Sequence, residues 1–261
     1  MTHTARDAQP AKVALVTGAS SGIGQATAIA LVQEGLDVAI TARNAKALEE
    51  TAQAIREAGV QCLVLPADLS VPEQAHDVVR RAVEAWGRLD VLINAAGIIG
   101  TGGVENTTLE AWDHMMDINL RALFVIMQAA TPHLIKTKGN VVNVSSVTGS
   151  RAFPNILSYC VSKAGVDQLT RCTALELAGR GVRVNAINPG VVRTQLHKNG
   201  GMDAEAYAAF LEHSKTSHPL GRVGEPQEAA DLIAFLASDR AAWITGACIP
   251  LDGGRAQTCA R

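Results

Sequence analysis

The chain has 261 residues, 48% of them apolar but only 3% aromatic, and a formal charge of −2. That length allows one large domain or two small ones, and apolar content spread over Ala, Val, Leu and Ile suits a sheet covered on both faces by helices. A near-neutral charge balance excludes a general binder of phosphate backbones, so nucleic acid is not among the expected partners.

The first segment, Thr2 to Lys12, is polar and has no apolar signal core, and nowhere do about eighteen apolar residues run together. A flexible tail over residues 1–11, then a single domain over 12–261 in a soluble, cytoplasmic protein, is the expectation. Val13-Ala14-Leu15-Val16 reads as a buried strand. It leads at once into the loop Thr17-Gly18-Ala19-Ser20-Ser21-Gly22-Ile23-Gly24, and a helical pattern follows through Leu31 to Gly35. Strand, glycine loop and helix together aim backbone N–H groups and the positive end of a helix at a phosphate; a merely tight connection is the plainer alternative. The loop lacks the Lys-Ser/Thr of a nucleoside-triphosphate hydrolase and is not the commoner G-x-G-x-x-G. Thr17 followed by Gly18-x3-Gly22-x-Gly24 instead resembles the glycine loop of the short-chain dehydrogenase/reductase family. The resemblance implies cofactor contacts at Gly18, Ser20, Ser21, Gly22, Ile23 and Gly24.

Leu36 to Thr41 is the second expected strand, with Ala42-Arg43 where an adenosine ribose would lie. An acidic residue at this point binds a ribose 2′-hydroxyl and a basic one receives a 2′-phosphate. Arg43, with no Asp or Glu beside it, favours NADP(H), leaves NAD(H) possible, and has an ordinary surface arginine as its alternative reading. A helix from Ala45 to Ala58 and a strand from Val60 to Leu65 precede Asp68-Leu69. The resemblance places that pair against adenine, whereas local chemistry equally allows Asp68 to act as a helix cap. Val71 to Trp86 reads as a helix and Leu89 to Ile93 as the fourth strand. Asn94-Ala95-Ala96-Gly97 resembles the family's Asn-Asn-Ala-Gly turn, which lines the cofactor cleft, with Ala95 in place of the second Asn and one side-chain hydrogen bond therefore in doubt. Thr107-Thr108 open a long helical stretch in which Asn119 lies among apolar neighbours. An interior hydrogen bond is one reason for it; the resemblance supplies another, a water that leads protons away from a lysine.

Gly139 to Val144 is the fifth strand, and it ends in Ser145-Ser146. The loop Val147 to Ile156 leads into a helix that carries Tyr159 and Lys163 and runs through Val166, Leu169, Cys172, Leu175 and Leu177 to Gly179. Residues four apart on a helix share a face, so the Lys163 ammonium is expected to stabilise a Tyr159 phenolate and make the phenol a usable acid. Taken alone, a Tyr-x-x-x-Lys pair is more often a buried ring beside a solvated cation. Val182 to Ile187 is the sixth strand, and Asn188-Pro189-Gly190-Val191-Val192-Arg193-Thr194 matches the family turn at the nicotinamide, implying contacts at Pro189, Gly190, Val192 and Thr194. Residues 195–217 read as a mobile lid over the substrate. Arg193, His197 and Lys198 near it could meet an anionic group, with solvated surface cations as the plainer reading. A helix to Ser238 and a strand and turn from Thr245 to Gly254 complete the chain.

Five cysteines without a Cys-x-x-Cys pair read as reduced and mostly buried, and seven scattered histidines, His213 and His218 among them, as surface or loop residues, so no metal site is expected. Alternating strands and helices point to one doubly wound, Rossmann-type α/β domain with a parallel sheet of about seven strands. The resemblance, which spans residues 12 to 254, implies a catalytic set of Asn119, Ser146, Tyr159 and Lys163, with Tyr159 and Lys163 also touching the cofactor. It implies NADP(H)-dependent reduction of a carbonyl compound, in the manner of the 3-oxoacyl-carrier-protein reductases. The alternatives are an NAD-linked secondary alcohol, sugar or steroid dehydrogenase and, remotely, a non-catalytic cofactor-binding regulator. Family members associate through their long helices, here about 108–137 and 155–178, which implies a homotetramer or homodimer.

Overall fold

Short apolar runs without polar alternation have to be covered on both faces, and a parallel sheet between two helical layers does this. The computed structural model describes residues 11–258, so nearly all of the expected N-terminal tail lies outside the described residues. Along the chain run β1 (Val13–Thr17), α1 (Gly22–Gln33), β2 (Asp37–Ala42), α2 (Ala45–Glu57), β3 (Cys62–Pro66), α3 (Pro72–Trp86) and β4 (Val91–Asn94). Next come α4 (Leu109–Met116), a π-helical turn at Asp117–Arg121, α5 (Ala122–Thr137), β5 (Asn140–Val144), α6 (Leu157–Ala178) and β6 (Arg183–Pro189). The last elements are α7 (Leu196–Asn199), α8 (Ala204–Ser217), α9 (Pro226–Ala237) and β7 (Cys248–Leu251).

The seven strands form one sheet in the order β3-β2-β1-β4-β5-β6-β7, and every neighbouring pair is parallel. Within β1 the side chains divide by parity: Ala14 and Val16 pack toward α1, α2 and α9, while Val13 and Leu15 pack toward α3, α5 and α6. Strand order reverses between β1 and β4, which opens a crevice at the carboxyl ends of the strands.

Three local readings need correction. The stretch from Thr108 onward is not one regular helix: Thr108 caps it by accepting from the Ala111 N–H at 3.2 Å, but its middle widens into the π turn that holds Asn119. Such turns insert an extra residue and re-aim the side chains around it. The segment Leu109–Thr137 is long and apolar enough to cross a membrane by length and composition, yet Leu123, Ile126, Met127, Ala130 and Leu134 lie in the core beneath the sheet. Cysteine burial is also looser than expected. Cys62, Cys160 and Cys248 are half-buried and Cys172 is exposed, all as free thiols.

Candidate active site

Glycines set how closely the first loop approaches its neighbours. Gly18 has φ +65°, and a Cβ on it would lie 2.7 Å from the Ala96 nitrogen; one on Gly24 would lie 2.4 Å from the Gly18 oxygen. The loop therefore rests backbone to backbone on the turn after β4, and the Thr17 hydroxyl fastens the two by accepting from Ala95 N at 3.0 Å and Ala96 N at 3.1 Å. This bond supports the turn from the main-chain side, so replacing the second Asn by Ala95 leaves its backbone anchored. Ser21 at the head of α1 makes no side-chain capping bond, and Ser20, Ser21, Gly22 and Ile23 line the cleft. An uncapped helix start behind a cradle that admits no Cβ fits the pyrophosphate of a dinucleotide.

At the far end of the cleft stand Ala42, Arg43 and Asn44, with Asp68 and Leu69 opposite. Asn44 is committed to capping α2, accepting from Ala47 N at 3.1 Å. Asp68 accepts from both the Ser70 hydroxyl at 2.7 Å and the Ser70 N–H at 3.0 Å. Those bonds, with nearby Arg43 adding to them, hold its carboxyl below the usual carboxylate range. Asp68 is the sole acidic residue in the cleft wall among the described residues.

In the centre, Asn94 donates to Asn143 Oδ1 at 2.9 Å, and Asn143 donates to the Thr170 hydroxyl at 2.9 Å, a buried row that ties β4 to β5 and α6. Gly97 keeps the floor open: a Cβ there would lie 3.3 Å from Asn119 Oδ1 and 3.5 Å from Lys163 Nζ. Both ends of the Asn119 amide are engaged. Its oxygen accepts from Ile98 N at 2.8 Å, and its nitrogen donates to Ile98 O at 2.9 Å and to the Ser162 hydroxyl at 3.1 Å. The interior hydrogen bond is thus what this side chain provides.

β5 delivers Ser146, whose hydroxyl oxygen accepts from Thr148 N at 3.2 Å, which leaves its O–H to donate toward the Tyr159 phenol. Tyr159 and Lys163 lie one turn apart on α6, both buried, with Nζ 5.8 Å from the ring centroid and donating to Val144 O at 2.9 Å. Burial pushes the Tyr159 phenol up to about 12 against the opposing hydrogen bond with Ser146. Burial likewise lowers the Lys163 ammonium to about 8, with Asp167 opposing. In the bare cleft, then, burial decides the Tyr159 phenol, and the lowering expected from its spacing to Lys163 is not seen.

The turn after β6 is held from two sides. Asn188 donates to Ser146 O at 2.9 Å and to Asp167 Oδ2 at 2.8 Å. Val191 N–H donates to His218 Nε2 at 3.1 Å, while His218 Nδ1, 2.6 Å from Ser214 O, points at the last turn of α8. His218 is 3% exposed and is thus no surface histidine; it joins the lid helix to the Pro189-Gly190-Val191-Val192 turn. Gly190 permits this, for a Cβ on it would lie 2.7 Å from His218 Nε2. Thr194 completes the turn against Gly22, whose Cβ would meet the Thr194 methyl at 3.0 Å.

Residues 195–217, expected as a lid, contain α7 and α8, which sit on a small core of Val191, Tyr207, Leu211 and Val223. Arg193 pairs with Glu225 at 3.1 Å and Lys198 lies 5.0 Å over the Tyr207 ring, both exposed as expected. His197 differs, being half-buried with its ring 4.5 Å from that of Phe210. Arg255, from the turn after β7, also enters the wall; no motif spacing in the sequence marks it. The whole cleft encloses about 1110 Å³.

A family model described as enoyl-(acyl carrier protein) reductase matches residues 18–256. The chain is 40% identical to the 3-oxoacyl-acyl-carrier-protein reductase of Thermotoga maritima, over 93% of this chain and 97% of that one. It is 38% identical to a 2,5-dichloro-2,5-cyclohexadiene-1,4-diol dehydrogenase of Sphingobium indicum (93% and 95% covered) and 36% identical to a cyclohexanol dehydrogenase of an Acinetobacter species (93% and 94%). Among solved structures, a short-chain dehydrogenase/reductase of unknown function from Caenorhabditis elegans, crystallised with cofactor, superposes with a TM-score of 0.91 at 36% identity, covering 95% of this chain and 96% of that one. One parallel sheet, a dinucleotide-shaped cradle and these relatives over nearly the whole length agree: the chain belongs to the short-chain dehydrogenase/reductase family of oxidoreductase enzymes.

Proposed function

We propose that this enzyme is an NADP(H)-dependent carbonyl reductase that interconverts a ketone and a secondary alcohol, with Tyr159 as its acid and base. The observation that carries the reading is the convergence of Ser146, Tyr159 and Lys163 in one buried centre of a cleft that has Arg43 at its other end. A bound nicotinamide cofactor supplies or takes up the hydride. The Tyr159 hydroxyl gives its proton to the carbonyl oxygen in reduction and recovers it in oxidation. The Ser146 O–H, directed at Tyr159 in the bare cleft, donates to the same oxygen as negative charge grows on it, where a fixed donor in a dry site counts most. Lys163 spends one of its three N–H donors on Val144 O and keeps the others for the hydroxyls of a ribose. A cationic nicotinamide held beside the phenol would lower its high value in the bare cleft, since a nearby positive charge favours the phenolate. Asn119 pins Ile98 and Ser162 around the lysine, which fits a part in ordering a proton relay there.

A second reading keeps the same centre and runs it oxidatively with NAD(H) on a secondary alcohol. Ser20 and Ser21 favour it, because the glycine loop adds no second cation to Arg43, and so do the relatives named as dehydrogenases of cyclic alcohols. The decisive variant for the chemistry is Tyr159→Phe. Reduction of a panel of ketones should fall by about 100- to 10,000-fold, the range general acid catalysis contributes, while cofactor binding measured by fluorescence titration changes less than about threefold. Turnover near that of the parent protein would end the assignment of the acid.

A further inference from the structure

Most cations near the mouth of the cleft face solvent or an acidic partner, but Arg255 does not. Its position is built from three directions. The Asp252 carboxylate accepts from Gly254 N at 2.9 Å and Ala256 N at 2.7 Å and so shapes the turn that presents it. The Arg151 guanidinium donates to Ala256 O at 2.9 Å and Thr258 O at 2.7 Å, which ropes this turn to the loop between Ser146 and Tyr159. From that same loop Phe153 offers its ring face, 4.7 Å from the Arg255 guanidinium carbon.

Held in this way, the guanidinium is half-buried in the cleft wall and, among the described residues, makes no hydrogen bond or ion pair. Asp252, whose oxygens accept from the main chain, acts on it through space without an ion pair. Burial lowers the affinity of Arg255 for its proton, with Asp252 only partly opposing, so this is a cation kept in a dry place without full compensation. Phe153 covers it, and the wall of the same cleft includes the apolar Ile156, Leu196, Met202 and Phe210. His197 adds no second charge, because burial first and then the Arg255 charge hold it toward its neutral form.

We propose that Arg255 anchors the substrate, and that the substrate class is an oxo acid: a ketone with an apolar body that ends in a carboxylate. The inference rests on the carbonyl-reductase reading above for the ketone, but not for the anchor. A guanidinium and a carboxylate match in plane and in charge, giving paired N–H···O bonds that are strongest where water is scarce. One cation beside a neutral imidazole balances a singly charged group, and a carboxylate is the one whose planar pair of oxygens matches the guanidinium. The reaction is then the ordinary one: the carbonyl carbon gains hydride, its oxygen gains the Tyr159 proton, and the carboxylate keeps its charge at Arg255.

The test pairs a straight-chain oxo acid, its ketone and carboxylate at opposite ends, with the methyl ester of the same acid, assayed with both cofactors. The full-length protein should show a kcat/KM about 10- to 100-fold higher for the acid, carried by KM. Arg255→Leu should remove that preference while kcat on the ester stays within about twofold, and Arg255→Lys should restore part of it. Equal kcat/KM for acid and ester in the parent protein, unchanged in Arg255→Leu, overturns the anchor. So does a loss confined to phosphorylated thioester substrates, which would assign Arg255 to a phosphate. Calorimetry with the saturated, ketone-free carboxylate separates the two layers of the claim. If no carbonyl compound is turned over but this carboxylate binds, and binding is lost in Arg255→Leu, then the reductase reading fails and the anchor stands.

Discussion

A guanidinium at the end of β2, with no acidic side chain beside it, sets the charge that the ribose end of a cofactor meets. Arg43 lines the cleft there, Asn44 is occupied in capping α2, and the nearest carboxylate, Asp68, has its charge held by Ser70. On the NADP(H) reading proposed above, a 2′-phosphate would gain a bidentate partner at Arg43, whereas a 2′-hydroxyl would find no carboxylate to accept its proton. The expected outcome is a kcat/KM for NADPH above that for NADH, cut by about 10- to 100-fold in Arg43→Ala with the NADH value nearly unchanged. A parent protein that prefers NADH would reverse the assignment. Residues of this kind are legible in a sequence because a strand and a glycine loop already say where they stand. Tyr159 and Lys163 are legible as a pair for the same reason. Their titration is not, because it follows from burial, and spacing along a helix carries no information about how much water reaches the phenol.

Between elements, the information runs through closure of the chain rather than along it. Strand positions follow from continuous apolar runs, and Thr108 announces the start of α4 by its capping chemistry. The π turn at Asp117–Arg121 is invisible to periodicity, since one inserted residue changes the phase only after Asn119 has found Ile98 and Ser162. His218 is the plainest case. Its partner Val191 lies 27 positions away, and only the packing of α8 on the β6 turn brings them together. The bond needs an unprotonated Nε2, and burial holds the ring below its ordinary value, with the charge of Arg255 adding to this, and the Ser214 carbonyl and Asp252 opposing. A histidine depressed in the folded state contributes stability that is complete above its unfolded value, near ~6.5, and is lost as pH falls through the folded one, because there the unfolded chain binds more protons. His218→Phe should cost about 1–3 kcal/mol at neutral pH by leaving the buried Val191 N–H without its acceptor. It should also flatten the decline of melting temperature between roughly pH 7 and pH 5. His133 and His197 are lowered in the same direction, so the difference between the parent and variant curves isolates His218. Parallel curves would show that the latch does not titrate in this range.

For the whole molecule, the surface keeps what the core did not use. The helical rhythm of α6 leads toward Cys172 and Leu175 as core positions, yet Leu175 is 83% exposed and Cys172 is exposed as well. On the same helical layer Phe124 of α5 is 46% exposed and Val161 of α6 is 41% exposed. Near β7, on the other side of the sheet's end, Trp243 is fully exposed. Single exposed apolar residues are ordinary, but several on one pair of long helices fit the proposed association through α5 and α6, with Trp243 as the candidate for a second face. Two faces that each close about a two-fold axis generate a tetramer with dihedral symmetry, and one alone generates a dimer. Light scattering should therefore give four times the monomer mass. A charge placed in the centre of the helical face, Phe124→Glu with Leu175→Glu, should halve the mass to a dimer that retains its fold by circular dichroism, because the face at Trp243 is untouched and a buried unpaired carboxylate opposes only the first contact. A monomeric mass for the parent protein would refute both faces, and an unchanged tetramer in the double variant would move the interface off α5 and α6.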